Sequence, residues 1–258
     1  MNNPFDYFDK IFVISAKGSE RRQYITDILS GLNIQFQFFD ANMGDNLSDE
    51  EIASVYDDQA AQKQRTLQRS LIKAEIGTTL SHLGVCKQIL SQDLDSAVIF
   101  EDDIDPNAKY FHTVSAAISE LPENWDLMHM GTCNHFKKAP LSYKIKLLFY
   151  FPFVKILAPD RLDYPYRQLW NIYPRPYSKN LNRAGYHVGS QAYAVSRSGA
   201  KKLLAYHNKI VNISDMLISE MAIKNQLNAF ITKRLIFDQN RSFKSYIPAD
   251  KKRDFNLQ

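Results

Sequence analysis

Residues 97–104 read Ala-Val-Ile-Phe-Glu-Asp-Asp-Ile, a short apolar run that ends in three consecutive acidic residues. An uninterrupted apolar run of this length is typical of a strand buried on both faces, as in parallel sheets. The triplet Glu101-Asp102-Asp103 is therefore predicted to stand at the carboxyl end of a central strand. Ligands of open α/β sheets bind beyond that end of the strands.

Strand and helix patterns alternate on both sides of this run. Residues 10–15 are rich in β-forming residues, apolar positions from Ile25 to Leu32 recur at helical spacing, and residues 34–38 alternate between apolar and polar. The chain thus opens β-α-β, which predicts an α/β fold with helices flanking a sheet. The same periodicities predict helices at 48–56, 76–90, 107–119, 198–207 and 214–226, and strands at 125–130 and 191–195.

Two segments lack a regular pattern. Residues 57–69 are polar and rich in glutamine, which predicts a mobile connection. Residues 133–185 hold six of the ten prolines and many tyrosines, and their first half is basic. Long irregular insertions in compact domains are commonly lids or binding loops. We therefore expect a lid or binding region at 133–185 within a single domain spanning 1–258.

Composition narrows the function classes. A chain of 258 residues with 45% hydrophobic residues can bury a sizeable core. A net charge of +4 is too even for nucleic-acid binding as the main function. The start of the chain lacks the features of a secretory signal, and the longest apolar stretch, 147–157, is about half of a membrane span. A cytoplasmic protein without a transmembrane helix is predicted.

The two cysteines, Cys86 and Cys133, do not have the spacing of a zinc site. In a chain without an export signal, we expect both to be reduced and to pack as small apolar side chains.

The acidic triplet requires a positive partner, because three adjacent carboxylates repel one another. A divalent cation is the simplest such partner. Carboxylate oxygens suit Mg²⁺ or Mn²⁺, which commonly bridge carboxylates to phosphates. Taken alone, the triplet is equally compatible with an ordinary acidic turn at the end of a strand.

Three stretches occur in order and together resemble glycosyltransferase family 25. They are 74–83 (Ala-Glu-Ile-Gly-Thr-Thr-Leu-Ser-His-Leu), 97–104, and 189–204 (Gly-Ser-Gln-Ala-Tyr-Ala-Val-Ser-Arg-Ser-Gly-Ala-Lys-Lys-Leu-Leu). This family includes bacterial lipooligosaccharide galactosyltransferases and animal collagen galactosyltransferases. The resemblance extends over about residues 10–243, apart from the insertion at 133–185.

Shorter matches support the resemblance near the start of the chain. Val13-Ile-Ser15 with Glu20-Arg-Arg22 is similar to the family's first strand and arginine-bearing turn, and Phe39-Asp-Ala41 to the end of its second strand. Ser15-Ala-Lys17 departs from the pattern, since family members commonly carry Asn-Leu-Asp or a similar sequence there. In the family, this position is expected to contact the base and ribose of a sugar-nucleotide donor, so those contacts are where this chain departs from the pattern.

The resemblance implies a GT-A-like, Rossmann-like fold that binds a nucleotide sugar. It also implies inverting transfer of galactose or glucose from a uridine diphosphate (UDP) sugar to a lipooligosaccharide or related glycan. It assigns Mn²⁺ or Mg²⁺ to Asp103, places Glu101 at the first position of the acidic motif, and sets Asp102 nearer the ribose. Such a cation would neutralise the diphosphate leaving group.

An inverting transfer also needs a base that takes the proton of the acceptor hydroxyl. Asp215 matches the acidic position that follows the Gly-Ala-Lys-Lys-Leu-Leu helix in the family, and it is the predicted catalytic base. The alternative is an ordinary carboxylate at the start of a helix, stabilised by the helix dipole.

The predicted donor-binding residues cluster around these motifs. Arg21 and Arg22 either bind the diphosphate with their guanidinium groups or lie solvated on a helix face. His82 either packs under the donor site or contacts metal or phosphate. A dyad with Ser81 is excluded, because adjacent helical residues point about 100° apart. The full predicted set is Ser15, Arg21, Arg22, Asp40, Ala41, Gly77, Ser81, His82, Glu101, Asp102, Gly189, Ser190 and Gln191.

Two further predictions concern the start of the 76–90 helix and the acceptor. The backbone around Glu75, Gly77 and Ser81 is a candidate phosphate-binding helix terminus. His187 and the tyrosines of the insertion are candidate acceptor contacts. The basic, aromatic stretch 137–155 either lies on an anionic membrane, at the inner face of the inner membrane where a lipid-linked acceptor waits, or is solvated.

Two other functions fit the same residues. One is a different metal-dependent nucleotide transferase, or a phosphoesterase, that uses the acidic triplet. The other is a non-catalytic relative that binds carbohydrate or acts as a scaffold.

Overall fold

The computed structural model describes residues 3–64, 67–162, 164–206 and 208–243. The strands are β1 (Lys10–Ser15), β2 (Gln37–Asp40), β3 (Ser96–Glu101), β4 (Ile104–Pro106), β5 (Leu127–Gly131), β6 (Arg175–Pro176), β7 (Leu181–Arg183), β8 (Ala192–Ser196), β9 (Ala229–Thr232) and β10 (Phe237–Gln239). The helices are α1 (Arg21–Gly31), α2 (Asp49–Val55), α3 (Asp58–Gln62), α4 (Lys73–Ser91), α5 (Val114–Ser119), α6 (Leu141–Ile145), α7 (Phe151–Leu157), α8 (Tyr166–Leu169), α9 (Arg197–Ala205) and α10 (Ser214–Ile223).

Eight strands form one mixed sheet in the order β2-β1-β3-β8-β5-β9-β7-β6, and β4 pairs with β10 in a separate two-stranded sheet. β3 runs parallel to β1 and antiparallel to β8, so its neighbours differ in direction. The predicted α/β class, with a mixed sheet flanked by helices, is confirmed. The placement of the acidic triplet at the end of a central strand is confirmed as well.

The core consists of two layers, one on each face of the main sheet. Along β3, Val98 and Phe100 belong to one layer, and Ala97 and Ile99 belong to the other. This division follows from the two-residue period of a strand. All four side chains are fully buried, which explains why the sequence here is an unbroken apolar run.

Within the predicted connection at 57–69, Asp58–Gln62 form the short helix α3. Asp57 caps α3 by accepting a hydrogen bond from the backbone N–H of Ala60. Arg69 forms an ion pair with buried Glu75. The predicted capping box of Ser48 and Glu51 at the start of α2 is confirmed.

The prediction of an irregular segment at 133–185 is wrong in two places. Residues 141–157 are helical without interruption, as α6, a π-helical turn (Lys146–Tyr150) and α7. β6 and β7 then extend the main sheet beyond β9. The sequence does not indicate this helix, because apolar residues lie on all sides of the segment and it has no amphipathic period.

Other boundaries differ from the predicted ones. The predicted helix at 107–119 begins only at Phe111, because the Asn107 N–H bonds to the carbonyl of Ile236 beside the small sheet. α9 ends at Ala205, and His207 lies outside the described residues. α10 ends at Ile223 rather than Gln226. Among the described residues, none of the helices has the length and apolarity needed to cross a membrane.

Candidate functional site

The acidic triplet stands where the chain leaves β3. Glu101 ends the strand, and Asp102 and Asp103 form the turn into β4. Asp102 is buried and accepts hydrogen bonds from the Ser15 hydroxyl at 2.6 Å and from Arg21 at 3.1 Å. Both of its carboxylate oxygens therefore have partners within the protein, which fixes the end of β1 against the triplet.

Asp103 is buried and only partly hydrogen-bonded. Its Oδ2 accepts a hydrogen bond from Gln239 at 3.0 Å, whereas its Oδ1 has no hydrogen-bond partner. Burial, followed by the nearby charge of Glu101, raises the pKa of Asp103 to about 7, although Gln239 and Arg21 act in the opposite direction. A buried carboxylate oxygen without a donor is costly, so this atom is suited to a cation.

The two arginines of α1 are already engaged. Buried Arg21 lies 3.1 Å from Asp102 and 3.7 Å from Asp103, so it supplies part of the positive charge that the triplet requires. Arg22 pairs with Asp40 and donates to the carbonyl of Ser15 at 3.0 Å. Neither is simply a solvated residue on a helix face. Arg21 faces the triplet, and Arg22 joins the ends of β1 and β2.

Glu101 is linked to α4 and to the chain before β8. Its Oε1 lies 3.5 Å from His82 Nε2 and 3.4 Å from the Ser190 hydroxyl. The other ring nitrogen of His82 bonds to the Tyr193 hydroxyl at 3.0 Å. His82 thus packs under the triplet and lies close to one of its carboxylates.

Asp215 lies in the same neighbourhood, reached through Ser190 and Gly189. The Ser190 hydroxyl is 3.3 Å from that of Ser214, the first residue of α10. Asp215, the next residue, accepts hydrogen bonds from the N–H groups of Gly189 at 2.9 Å and Met216 at 2.7 Å. These bonds orient the carboxylate. The predicted base and the predicted metal motif are therefore parts of one site.

Gly189 is required by the local geometry. Its φ of +83° is in the left-handed region, which favours glycine. A β-carbon there would approach Gln191 Oε1 to 2.6 Å and Cys133 Sγ to 2.7 Å. The chain can therefore pass between Asp215 and Cys133 only without a side chain.

Cys133 corrects the prediction of two buried packing cysteines. Cys86 is buried as expected, but Cys133 is exposed. Its Sγ lies 3.8 Å from Gln191 and 3.9 Å from Gln239. Desolvation of the thiol, reinforced by Glu101, Asp215 and Asp103, raises the pKa of Cys133 to about 11.

Several predicted donor contacts have structural roles in α4. Ser81 donates to the carbonyl of Gly77 and accepts from the N–H of Asn42 at 2.8 Å. A β-carbon on Gly77 would come within 2.3 Å of the Asn42 carbonyl oxygen, so the glycine allows α4 to pack against this loop. Glu75 accepts the N–H of Ile72 at the start of α4. The Ala41 N–H bonds to the carbonyl of Ser15, which joins β2 to β1.

His187 does not reach the surface. It is 1% exposed, and its ring packs 5.5 Å from that of His129. Neither ring nitrogen has a hydrogen-bond partner, and burial lowers its pKa well below the usual value. The predicted contact with an acceptor is therefore not available to this side chain. Tyr164 of the insertion, and Tyr186 directly after it, are also buried.

The residues present fit a divalent cation held partly by a substrate. Among the described residues, no group of three or more His, Cys, Asp or Glu side chains forms a complete metal-binding set. Mg²⁺ is usually bound through one or two carboxylates plus substrate phosphates. The unpartnered Oδ1 of Asp103 and the partly exposed Glu101 offer such a set.

Sequence reasoning missed four residues of this site: Cys133, Tyr193, Ser214 and Gln239. Tyr193 lies within the stretch 189–204. Side chains alternate between the two faces of a strand, so Tyr193 points to the opposite face of β8 from Ala192 and Ala194. Gln239 had no detectable signal, because β10 is a three-residue strand far from β3 in the sequence.

The motifs described above lie within a match to a known protein family. A family model described as "Glycosyltransferase family 25 (LPS biosynthesis protein)" matches residues 8–218. Procollagen galactosyltransferase 1-A of Xenopus laevis is 24% identical over 202 residues, which are 76% of this chain and 28% of that protein. The "probable inactive glycosyltransferase 25 family member 3" of Bos taurus is 26% identical over 203 residues, which are 77% and 29% of the two chains.

Solved structures show only distant likeness. A197 from STIV has a TM-score of 0.38 at 12% identity, covering 86% of this chain and 80% of the other. The apo form of mouse xyloside xylosyltransferase 1 has a TM-score of 0.36 at 10% identity, covering 84% and 62%. These scores are too low to bear on function. The chain spans less than a third of the two curated relatives named above. The family match covers most of the chain and all three motifs, and the chain belongs to glycosyltransferase family 25.

Proposed function

We propose that this chain is an inverting glycosyltransferase that moves galactose or glucose from a UDP-sugar to a lipooligosaccharide or related glycan. One observation carries the proposal. The acidic triplet and Asp215 lie on either side of Ser190, whose hydroxyl is 3.4 Å from Glu101 and 3.3 Å from Ser214. The predicted metal motif and the candidate base are therefore connected through Ser190 and its neighbours Gly189 and Ser214.

Asp103 and Glu101 would hold Mn²⁺ or Mg²⁺ on the donor side of the site. The cation would supply Lewis-acid stabilisation of the diphosphate leaving group. Asp102 holds Ser15 and Arg21 in place, and its proposed contact with the ribose would have to be shared with those two partners. Arg21, at 3.7 Å from Asp103, would add positive charge beside the diphosphate.

Asp215 would act on the acceptor. Its carboxylate takes the proton of the acceptor hydroxyl while that oxygen forms a bond to the anomeric carbon of the sugar. The bond from that carbon to the diphosphate oxygen breaks on the opposite face, and UDP leaves with the bonding electrons. Attack opposite to the leaving group inverts the anomeric centre. The hydrogen bonds from Gly189 and Met216 hold the carboxylate in one orientation for this step.

The relatives support both the proposal and one alternative. Two procollagen galactosyltransferases named for their sugar, from Xenopus laevis and Homo sapiens, favour galactose as the transferred group. The "probable inactive" member of the family from Bos taurus is equally similar, which keeps a non-catalytic carbohydrate-binding role as the alternative. The presence of Asp103, Glu101 and Asp215 in one site favours catalysis.

The proposal is tested by incubating the protein with UDP-galactose or UDP-glucose in Mn²⁺ or Mg²⁺ and measuring UDP release, with and without glycan acceptors. We expect release from one donor, stimulation by an acceptor, and a product of opposite anomeric configuration by NMR. UDP binding without release from any donor would support the non-catalytic alternative. Release of inorganic phosphate from phosphate esters would support the phosphoesterase.

A further inference from the structure

The segment formed by α6, the π-helical turn and α7 is apolar on two opposite sides. On one side, buried Leu147 packs with Tyr164, Leu169 and Tyr186. On the other side the large apolar side chains face outward, with Leu141, Ile156 and Leu157 each more than 70% exposed. A helix that is apolar all round is ordinarily buried all round. The outer side therefore needs a covering.

The exposed apolar side chains are concentrated here. Among the described residues, nine of the twelve large apolar side chains that are exposed lie between 136 and 157. Soluble proteins rarely expose so many together, and such patches mark interaction surfaces. We name as the apolar face the exposed residues Leu141, Ile145, Leu148, Phe149, Tyr150, Phe153, Ile156 and Leu157.

The charged residues within this stretch are of one sign, and exposed Asp160 follows it. Residues 133–159 contain five lysines and neither aspartate nor glutamate. Lys138, Lys144, Lys146 and Lys155 are exposed. Exposed Trp170 and Arg167 lie next to the cluster on which the segment packs. An apolar face with aromatic residues and a lysine border is the composition of a helix that lies in the surface of an anionic membrane.

A second copy of the chain fits this surface poorly. In a two-fold contact the same surface meets itself, so the lysines of one copy would face those of the other. At about 1.5 Å per residue, the helical segment of 17 residues is roughly 25 Å long, too short to span a bilayer and long enough to lie along its surface. We propose that the apolar face and its lysines dock this protein on an anionic lipid membrane.

The inner, packed side of the segment rests on a cluster that adjoins the site. The cluster beneath the segment includes Tyr186 and Val188. Val188 is followed directly by Gly189, whose N–H donates to Asp215. The segment that would dock on the membrane is thus connected to the proposed base through this cluster. Membrane docking itself does not depend on the proposed transferase activity.

The test measures co-sedimentation of the full chain with vesicles of phosphatidylcholine alone and with added phosphatidylglycerol. We expect binding to the anionic vesicles, at least about tenfold weaker binding to neutral ones, and loss of binding in high salt. The variant Phe149→Ser/Phe153→Ser/Ile156→Ser should bind at least about 100-fold more weakly. Each of the three side chains is expected to contribute up to roughly tenfold of this loss. Tyr7→Ser and Tyr177→Ser remove exposed apolar residues outside the face and should leave binding unchanged.

The lysines are tested separately. Lys144→Gln/Lys146→Gln/Lys155→Gln should weaken binding to anionic vesicles by about fivefold per lysine. The control Lys63→Gln/Lys87→Gln/Lys201→Gln makes the same change in charge at exposed lysines elsewhere and should have little effect. All variants should keep the circular dichroism spectrum and unfolding temperature of the wild type within a few degrees, which excludes misfolding as the cause.

Three results would overturn the proposal. One is equal binding of the wild type to neutral and anionic vesicles, and another is unchanged binding of the apolar-face variant. The third is a wild-type dimer that ignores vesicles and becomes a monomer in the apolar-face variant, which would show that a second copy covers the face. Sugar-donor binding is measured in parallel, so failure of docking is distinguished from failure of the proposed function.

Discussion

The turn after β3 and the apolar face depart from the ordinary arrangement of a soluble protein in opposite ways. At the turn, Asp102 and Asp103 are carboxylates placed in the interior. On the apolar face, side chains such as Phe153 and Ile156 are placed in solvent. Buried charge and exposed apolar surface are both uncommon unless something joins or covers them. We therefore propose a separate ligand for each region, one polar and one lipid.

The difference also predicts which properties can be separated by mutation. Changes at the turn should alter catalysis and pH dependence and leave vesicle binding intact. Changes on the apolar face should weaken vesicle binding and leave catalysis and pH dependence intact. We call the turn after β3 and the residues around it, including Cys133, Gly189 and Asp215, the polar region. The four predictions below concern this region, in order of the size of the expected effect.

Asp215→Asn should give the largest effect. Loss of a positioned base typically lowers kcat by about 10²–10⁴, and we expect about 10³ here, with UDP affinity changed less than about threefold. The matched control is Glu220→Gln, a buried carboxylate on the same helix that pairs with Lys224. The measurement is UDP release from the active donor. Vesicle binding should be the same in both variants. Equal losses of activity in both would mean that Asp215 only supports the fold.

Cys133 should react slowly for an exposed thiol. Because desolvation and nearby carboxylates raise its pKa to about 11, its thiolate fraction at pH 8 is roughly 100-fold below that of an ordinary cysteine. Iodoacetamide labelling, followed by mass spectrometry, should be slower by about the same factor than in a free peptide. Cys86, whose pKa burial raises to about 12, should stay unlabelled until the protein unfolds. Labelling of Cys133 at the rate of the peptide would contradict the described surroundings of the thiol.

Gly189→Ala should destabilise the protein by about 2–4 kcal/mol, since it adds a strained φ to steric overlap with Cys133 and Gln191. Gly18→Ala is the matched control, because Gly18 has a φ of +79° but open space around a β-carbon, and it should cost only about 1 kcal/mol. Gly31→Ala, in α1 with no atom within 4 Å of the added β-carbon, should be neutral or stabilising. Urea unfolding measures all three. Equal costs at 189 and 18 would show that the site is looser than described.

Asp103 should make stability depend on pH. Because its pKa is raised to about 7 in the folded protein, against about 4 in an unfolded chain, the folded state binds the proton more tightly. Its contribution to stability is therefore greatest at low pH and is lost as pH rises from about 4 to about 7. In metal-free buffer, the free energy of unfolding of Asp103→Asn relative to wild type should rise by about 2 kcal/mol between pH 5 and pH 8.

The control for this pH effect is Asp105→Asn, two residues further along on the exposed side of β4. It should not change the pH profile of unfolding. A flat difference between Asp103→Asn and wild type would show that the Asp103 carboxyl is not desolvated.

Much of the polar region could be predicted from sequence, for a physical reason. The strand 97–100 and the triplet after it are adjacent in the chain, and strand periodicity fixes where they point. Ser190 and Asp215 were placed near them because their stretches follow one another in the family's order. The residues that complete the site, Gln239 and Cys133, come from distant, short or irregular elements and have no local signal.

The apolar face was harder to predict, because it depends on contacts between residues that are distant in the chain. Prolines 140, 152 and 159 and the absence of an amphipathic period in 141–157 indicated an irregular loop. The helix forms because one apolar side packs on Leu169 and Tyr186, a contact between residues distant in the chain. Its basic and aromatic composition was visible in the sequence. Which side chains face solvent was not, since that depends on the packing of the other side.

The central claim is that the acidic triplet binds the diphosphate of a sugar nucleotide through a cation. The most direct test is calorimetric titration of UDP into the metal-free protein and into the protein with Mn²⁺, for wild type, Asp103→Asn and Asp105→Asn. We predict binding that requires Mn²⁺, is lost in Asp103→Asn, and is unchanged in Asp105→Asn. Equal UDP binding by all three proteins, or no binding by the wild type in either condition, would contradict the claim.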